Sequence, residues 1–325
     1  MTAIFVVGAG AWGTALAHVA AIGGSAVTLC GRDAKVVAAI NSRHRNPAYL
    51  GDADIHLGVN ARLGTAGIES ADLVILAVAA QASRKALAGI GAPSLKGKPV
   101  VLCAKGLEHG SCLRQSQILA EVAPGALPQV LSGPSFAADV ARSKPTAVTL
   151  AGPDPSLTAH IAALLAGPTF RPYASDDVIG VELAGALKNV FAIACGAVEG
   201  AGLGLSARSA VLARSFAELT RLVTALGGEA ATLTGLAGLG DLALSCTTRR
   251  SRNFDHGFRL AAGESPASGL VEGIHTAPVA LMLAQRAKVD APIIAAVNAL
   301  ISGKAAIGDL VEALMARPLK REGEK

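Results

Sequence analysis

Aromatic side chains are scarce: Phe, Trp and Tyr together supply 3% of 325 residues. The core must therefore be built from Ala, Val, Leu and Ile, and there is little material for stacking nucleic-acid bases. Charge is scarce too, at 16% against 51% hydrophobic residues. That balance excludes a disordered chain, because so much apolar surface offsets the entropy of ordering a large core. The net charge of +5 leaves a nucleic-acid partner open but is thin for a chain of this length, and no nucleic-acid binding is expected. The surplus is better placed locally, against an anionic substrate. The five cysteines, Cys30, Cys103, Cys112, Cys195 and Cys246, form no CxxC and no metal-ligand spacing. An odd number on a chain this long reads as reduced, mostly buried thiols in a reducing compartment, hence an expected cytoplasmic location. Met1 to Phe5 lacks a basic leader and runs straight into a strand pattern, so no signal peptide is expected. A single apolar run, Val178 to Val198, approaches the ~20 residues that cross a bilayer. It carries Glu182, Lys188 and Asn189, and ionised groups in mid-span cost roughly 2.5–3.5 kcal/mol each. A buried helix, and no membrane span, is the expectation.

What is present is an alternation. Apolar strand runs at Ile4–Val7, Val27–Cys30, Leu73–Val78, Val100–Cys103, Gln129–Leu131 and Ala147–Leu150 are separated by helical stretches at Thr14–Ala21, Ala34–Arg43, Gln81–Ile90 and Leu113–Val122. This order predicts a parallel, doubly wound α/β sheet of Rossmann type, covered on both faces. From about Ser175 the strand signals stop. Asp177–Ala201, Ala207–Leu226, Phe254–Ala262, Thr276–Ala287 and Pro292–Ser302 read as helices, which predicts an all-helical second domain. The expected division is 1–176 for dinucleotide binding and 177–325 for substrate binding and catalysis, with a charged tail from Arg317 that frays.

Ile4-Phe5-Val6-Val7 leads into Gly8-Ala9-Gly10-Ala11-Trp12-Gly13 and then into Thr14-Ala15-Leu16-Ala17. GxGxxG is weak alone, but between a strand and a helix it has the context that a dinucleotide site requires. Gly8 permits the tight turn, Gly10 lets backbone N–H groups approach a pyrophosphate, and Gly13 allows close helix–strand packing. The helix N-terminus adds partial positive charge. An NAD site usually ends its second strand with an acid that holds the ribose 2′-hydroxyl. Here that strand ends Leu29-Cys30-Gly31-Arg32-Asp33. Cys30 and Gly31 stand where the acid belongs and Arg32 suits a 2′-phosphate, which favours NADPH/NADP over NADH/NAD. Asp33 is an acid that could reach the ribose, but it is expected instead to cap the helix beginning at Ala34.

Lys188 lies on the apolar run, sharing a helical face with Val181, Ala184, Gly185, Phe191, Ala192 and Cys195. The opposite face is apolar as well, so the helix is interior. Lys188 is then either buried or open to a cleft, and burial lowers a lysine pKa toward the range of a general acid/base. A lysine that merely pairs with an acid is the alternative. The third cluster runs from Gly238-Leu239-Gly240-Asp241 to Arg249-Arg250-Ser251-Arg252-Asn253, a hydroxyl- and Arg-rich loop suited to phosphate oxygens.

Together with Ala104-Lys105-Gly106-Leu107-Glu108, Leu131-Ser132-Gly133-Pro134-Ser135-Phe136-Ala137, Gly185-Ala186-Leu187-Lys188-Asn189-Val190 and Val271-Glu272-Gly273, these segments resemble the bacterial NAD(P)-dependent glycerol-3-phosphate dehydrogenases across nearly the whole chain. The resemblance implies reversible reduction of dihydroxyacetone phosphate to sn-glycerol 3-phosphate, the backbone of phospholipids, by a cytoplasmic homodimer without metal. It implies that Lys188 is the proton donor, with Lys105 near substrate and cofactor and Asp241 tuning the lysine. Gly133, Ser135, Ser251, Arg252 and Asn253 become substrate contacts. Gly8, Gly10, Ala11, Trp12, Gly13, Arg32, Lys105, Ala137, Arg252, Val271 and Glu272 become cofactor contacts. Phe254-Asp255 departs from the basic residue common in relatives and is expected to weaken the phosphate field slightly. Two other readings remain open: a β-hydroxyacid or sugar-acid dehydrogenase of the same architecture, and an NADPH-binding redox sensor that meets a partner or nucleic acid through the Arg249–Arg252 loop.

Overall fold

A computed structural model of the chain describes residues 1–265 and 269–316; the expected fraying from Arg317 lies outside them. Strands β1 (Ala3–Val7), β2 (Ala26–Gly31), β3 (Val59–Leu63), β4 (Leu73–Leu76), β5 (Pro99–Leu102), β6 (Leu127–Ser132), β7 (Thr146–Ala151) and β8 (Phe170–Ser175) form one sheet. Its order is β3-β2-β1-β4-β5-β6-β7-β8. The helices of six residues or more are α1 (Ala11–Ile22), α2 (Ala34–Arg43), α3 (Ser83–Ile90), α4 (Gln115–Val122), α5 (Pro155–Leu165), α6 (Val178–Gly200), α7 (Gly204–Ala225), α8 (Asp241–Cys246), α9 (Arg252–Ala262), α10 (Glu272–Arg286), α11 (Pro292–Ile301) and α12 (Ile307–Met315) among the described residues.

All six expected strands are present. The two that sequence reading missed, β3 and β8, are the edges of the sheet. An edge strand buries few side chains: β3 covers only Val59 and Ala61, and β8 only Phe170, with Pro172 in its middle. Neither carries the apolar run that marks a central strand. The expectation of a fully parallel sheet needs correction at one pair, because β7 runs antiparallel to β6. Residues 133–145 hold only a four-residue helix, Ala137–Val140. They do not form the covering helix of a parallel crossover, so the chain doubles back.

The sheet has an apolar cluster on each face, one built with α1 and the other with α3 and α4. A third cluster surrounds α6. Helix α6 is long and apolar enough to cross a membrane by length and composition, and 83% of its most apolar window is buried inside the protein. It packs against α7, α8, α9, α10 and α11. Its contact with α9 is backbone to backbone: a Cβ on Gly196 would lie 2.0 Å from the Phe254 carbonyl oxygen, and one on Gly257 2.0 Å from that of Ile193.

The charged groups of the run are all paired. Glu182 accepts from Arg114 at 2.5 Å and from the Ser116 N–H at 2.8 Å. It thereby pins α6 to the N-terminus of α4, even though burial pushes its carboxyl above the usual range.

Candidate active site

The turn after β1 is built by sterics. Gly8 has φ +114°, and a Cβ there would meet the Ala77 carbonyl oxygen at 2.5 Å. A Cβ on Gly13 would lie 1.9 Å from the Gly8 oxygen, so any side chain would push α1 away from the strand. Gly10 differs, because a Cβ there meets nothing within 4 Å. It caps α1 without a side-chain hydrogen bond, which leaves the first-turn N–H groups free for an anion. The residues therefore fit a dinucleotide pyrophosphate. Ala11 and Trp12 open α1 at the same place. At the end of β2, Asp33 Oδ1 accepts from the Lys35 N–H at 2.8 Å and caps α2. Arg32 is exposed and pairs with no carboxylate among the described residues.

The second part of the site gathers three distant segments. Lys188, 7% exposed on α6, donates to Asp241 Oδ1 and to Ser245 Oγ, the latter at 2.8 Å. Lys105, in the loop after β5, donates to the other oxygen of the same carboxylate at 2.6 Å and to the Gly133 carbonyl at 2.9 Å. Asp241 is fully buried and starts α8 directly after a π-helical turn, Leu236–Gly240, a distortion common at functional sites. One carboxylate thus serves two ammonium groups and leaves a surplus positive charge. Burial, helped by the neighbouring Lys105 charge, lowers the Lys188 pKa to about 8 against the pull of Asp241.

Ser135 Oγ donates to the Gly133 carbonyl at 3.1 Å, and Ala137 begins the short helix that follows. Of the three loop arginines, two are already engaged. Arg249 pairs with Asp255 at 2.6 Å and lies over the Phe258 ring, whereas Arg250 pairs with Asp139 at 2.7 Å over Phe136. Arg252 is exposed and makes no ion pair among the described residues, so it is the one left for an anion. Asp255 faces Arg249 and Arg259, both at 2.6 Å. Burial raises its carboxyl, but those two hydrogen bonds outweigh it and hold the pKa below the ordinary value.

Ser251 caps α9 through the Phe254 N–H. Asn253 makes two scaffold hydrogen bonds: its oxygen accepts from the Gly273 N–H and its nitrogen donates to Asn189 Oδ1, both at 2.9 Å. Asn189 in turn donates to the Lys105 carbonyl at 2.8 Å. Val271 caps α10, and Glu272 Oε1 accepts from the Ala80 N–H at 3.0 Å, beyond β4. Glu272 Oε2 is buried without a partner among the described residues, and burial pushes its carboxyl upward.

The structure brings Lys105, Gly133, Ser135, Lys188 and Asp241 into one cluster. Arg252, Asn253, Val271 and Glu272 stand beside it, while the Gly8–Gly13 turn and Arg32 lie at the strand ends of the sheet. Sequence reading missed Ser245 and Asn189 as site residues. Ser245 stands one helical turn from Asp241, and Asn189 is a buried amide on a mostly apolar helix; both were findable signals. Among the described residues no three His, Cys, Asp or Glu side chains gather as metal ligands.

Comparison with known proteins gives a consistent result. Residues 3–158 match the family described as NAD-dependent glycerol-3-phosphate dehydrogenase N-terminus, and residues 177–312 match the C-terminus of the same family. The chain is 48% identical over 323 residues to a glycerol-3-phosphate dehydrogenase [NAD(P)+] of Brucella ovis, covering 99% of each. It is 48% identical to one of Caulobacter vibrioides, covering 98% of each. A crystal structure of glycerol-3-phosphate dehydrogenase from Coxiella burnetii superposes with a TM-score of 0.91 at 33% identity, covering 97% of this chain and 99% of that one.

Proposed function

The chain belongs to the NAD-dependent glycerol-3-phosphate dehydrogenase family, and from that premise we propose how its own residues carry the reaction. Its activity is that of a glycerol-3-phosphate dehydrogenase using NAD(P), the interconversion of dihydroxyacetone phosphate and glycerol 3-phosphate. The observation that carries the mechanism is the buried Lys188, held between Asp241 and Ser245 with a pKa near 8.

When bound, the reduced nicotinamide supplies a hydride to the ketone carbon. As charge grows on the ketone oxygen, the Lys188 ammonium stabilises it and then gives up its proton. Asp241 and Ser245 fix the ammonium in place, so no reorganisation is needed as the charge develops. Lys105, on the other oxygen of Asp241, adds the second positive charge against an anionic substrate. Arg252, with Ser251 beside it, grips the phosphate, and that remote binding energy positions the carbon. Asn253 contributes by holding Asn189 and the start of α10. The nucleotide turn belongs to a unit comprising 1–176 and the lysine helix to one comprising 177–325. The reading extends to a cytoplasmic homodimer that supplies glycerol phosphate for phospholipids.

Arg252→Ala tests the phosphate grip. Its KM for dihydroxyacetone phosphate is expected to rise about ten- to a hundred-fold, the range of a lost charge-assisted hydrogen bond, while a phosphate-free ketone changes little. Equal losses on both substrates in steady-state assays would remove Arg252 from the phosphate site.

Arg32→Ala tests cofactor choice. Asp33 Oδ1 caps α2, which leaves Arg32 as the group suited to a 2′-phosphate, and NADPH is expected to be preferred over NADH by about ten- to a hundred-fold. The variant should raise KM for NADPH and leave that for NADH almost unchanged. A parallel rise for both cofactors would assign Arg32 to the scaffold or to the adenine.

A further inference from the structure

Asn46 is fully buried behind the Gly8–Gly13 turn, in the link between α2 and the short helix Pro47–Leu50. Its backbone carbonyl accepts from the Leu50 N–H at 2.8 Å, which closes that helix. Its carboxamide reaches in the other direction. Nδ2 donates to the Ala9 carbonyl at 3.1 Å and to Thr14 Oγ1 at 2.8 Å. The Ala9 oxygen can only accept, so the NH2 end has to face it. Both N–H groups are then used, and Oδ1 is left buried with no partner among the described residues. A buried polar atom without a partner is costly, and here it is the cost of that orientation.

The two points that Asn46 holds lie on either side of Gly10. In a trans peptide the C=O and the following N–H point in opposite directions, and the described residues contain no cis peptide bond. Drawing the Ala9 carbonyl inward therefore turns the Gly10 N–H outward, at the residue where added atoms meet nothing within 4 Å. Thr14, also fully buried, ties the same turn from its far side through its N–H to the Gly10 carbonyl at 3.0 Å.

We propose that Asn46 is a positioning residue for the dinucleotide: it fixes the Ala9–Gly10 peptide so that the Gly10 N–H faces the pyrophosphate. The inference rests on the turn holding a dinucleotide. Its effect is on cofactor affinity alone, because Asn46 touches neither Lys188 nor the groups around it.

The test is titration of NADPH, NADH and ADP-ribose into the purified enzyme and its variants. Asn46→Asp keeps the size of the side chain but sets an acceptor against the Ala9 carbonyl. Its Kd for all three ligands is expected to rise at least about ten-fold, by the same factor for ADP-ribose because the pyrophosphate is the common part. At saturating cofactor, kcat and the KM for dihydroxyacetone phosphate should stay within about three-fold of wild type. Thr14→Val removes one of the two acceptors with little change of shape and should raise the same Kd values by a few-fold. It carries the test if Asn46→Asp does not fold. Asn41→Ser is the control, since Asn41 bridges α2 to the Ala61 N–H and carbonyl, both at 2.8 Å, away from the turn. It should lower Tm and leave Kd unchanged. Kd values within two-fold of wild type in the Asn46 and Thr14 variants would overturn the proposal, as would an equal rise in Asn41→Ser. A wild-type enzyme that binds no dinucleotide would instead overturn the cofactor reading itself.

Discussion

Lys188→Ala is expected to lower kcat for dihydroxyacetone phosphate reduction about 10²–10⁴-fold, the range for loss of a general acid, with cofactor affinity nearly intact. The side chain is at the centre of the charge cluster, and the nucleotide turn is formed by other residues, so binding and chemistry separate. The pH profile gives the sign. Reduction needs the ammonium, so kcat/KM for the ketone should be level below about 8, the pKa of Lys188, and fall above it. Oxidation of glycerol 3-phosphate needs the neutral amine and should rise through the same pH. In Lys188→Ala both inflections should vanish. A kcat within a few-fold of wild type, or an unchanged inflection, would show that another group moves the proton.

Asp241→Asn is expected to be the most damaging change to stability. It leaves Lys188 buried without its counter-charge and in repulsion with Lys105. Breaking a buried pair in this way costs about 3–5 kcal/mol, which urea unfolding at pH 6 should report. The loss should shrink toward pH 9, because Lys188 can escape the penalty by shedding its proton. The direction follows from linkage. Asp241 raises the Lys188 pKa, so its removal depresses that pKa further. The unfolded chain then binds more protons than the folded one over a wider range, and stability climbs with pH. The rate inflection should move below 8 in parallel. A variant that unfolds like wild type at pH 6 and keeps its inflection would show that the carboxylate is not the counter-ion of Lys188.

The nucleotide turn was legible because everything that shapes it is local: a buried strand, three glycines and a helix start follow one another within a few residues. The capping role of Asp33 was legible for the same reason, since its partner is two residues away. The central strands announced themselves by continuous apolar runs, and the edge strands β3 and β8 did not, because a strand with one neighbour buries half as much. The reversal of β7 was hidden as well. Strand direction depends on the path of residues 133–145 across the site, and no periodicity within β7 encodes it.

The site divides in the same way. Sequence alone determined that the helix carrying Lys188 is interior, because a helix apolar on every side has no face suited to solvent. It also showed where residues suited to an anion are concentrated, at the Gly-rich turn and at the Arg-rich loop. Tertiary structure decided which partners those groups meet. Asp241 lies 53 residues from Lys188 and 136 from Lys105, and Asn46 lies 37 residues from the carbonyl it holds. It decided also that Arg249 and Arg250 are paired with carboxylates while Arg252 makes no ion pair among the described residues, although the three are near neighbours in the chain. The reason is physical: a residue's burial follows from the pattern of its own segment, whereas the sign and spacing of the charges around it are set by whichever distant segments pack against it.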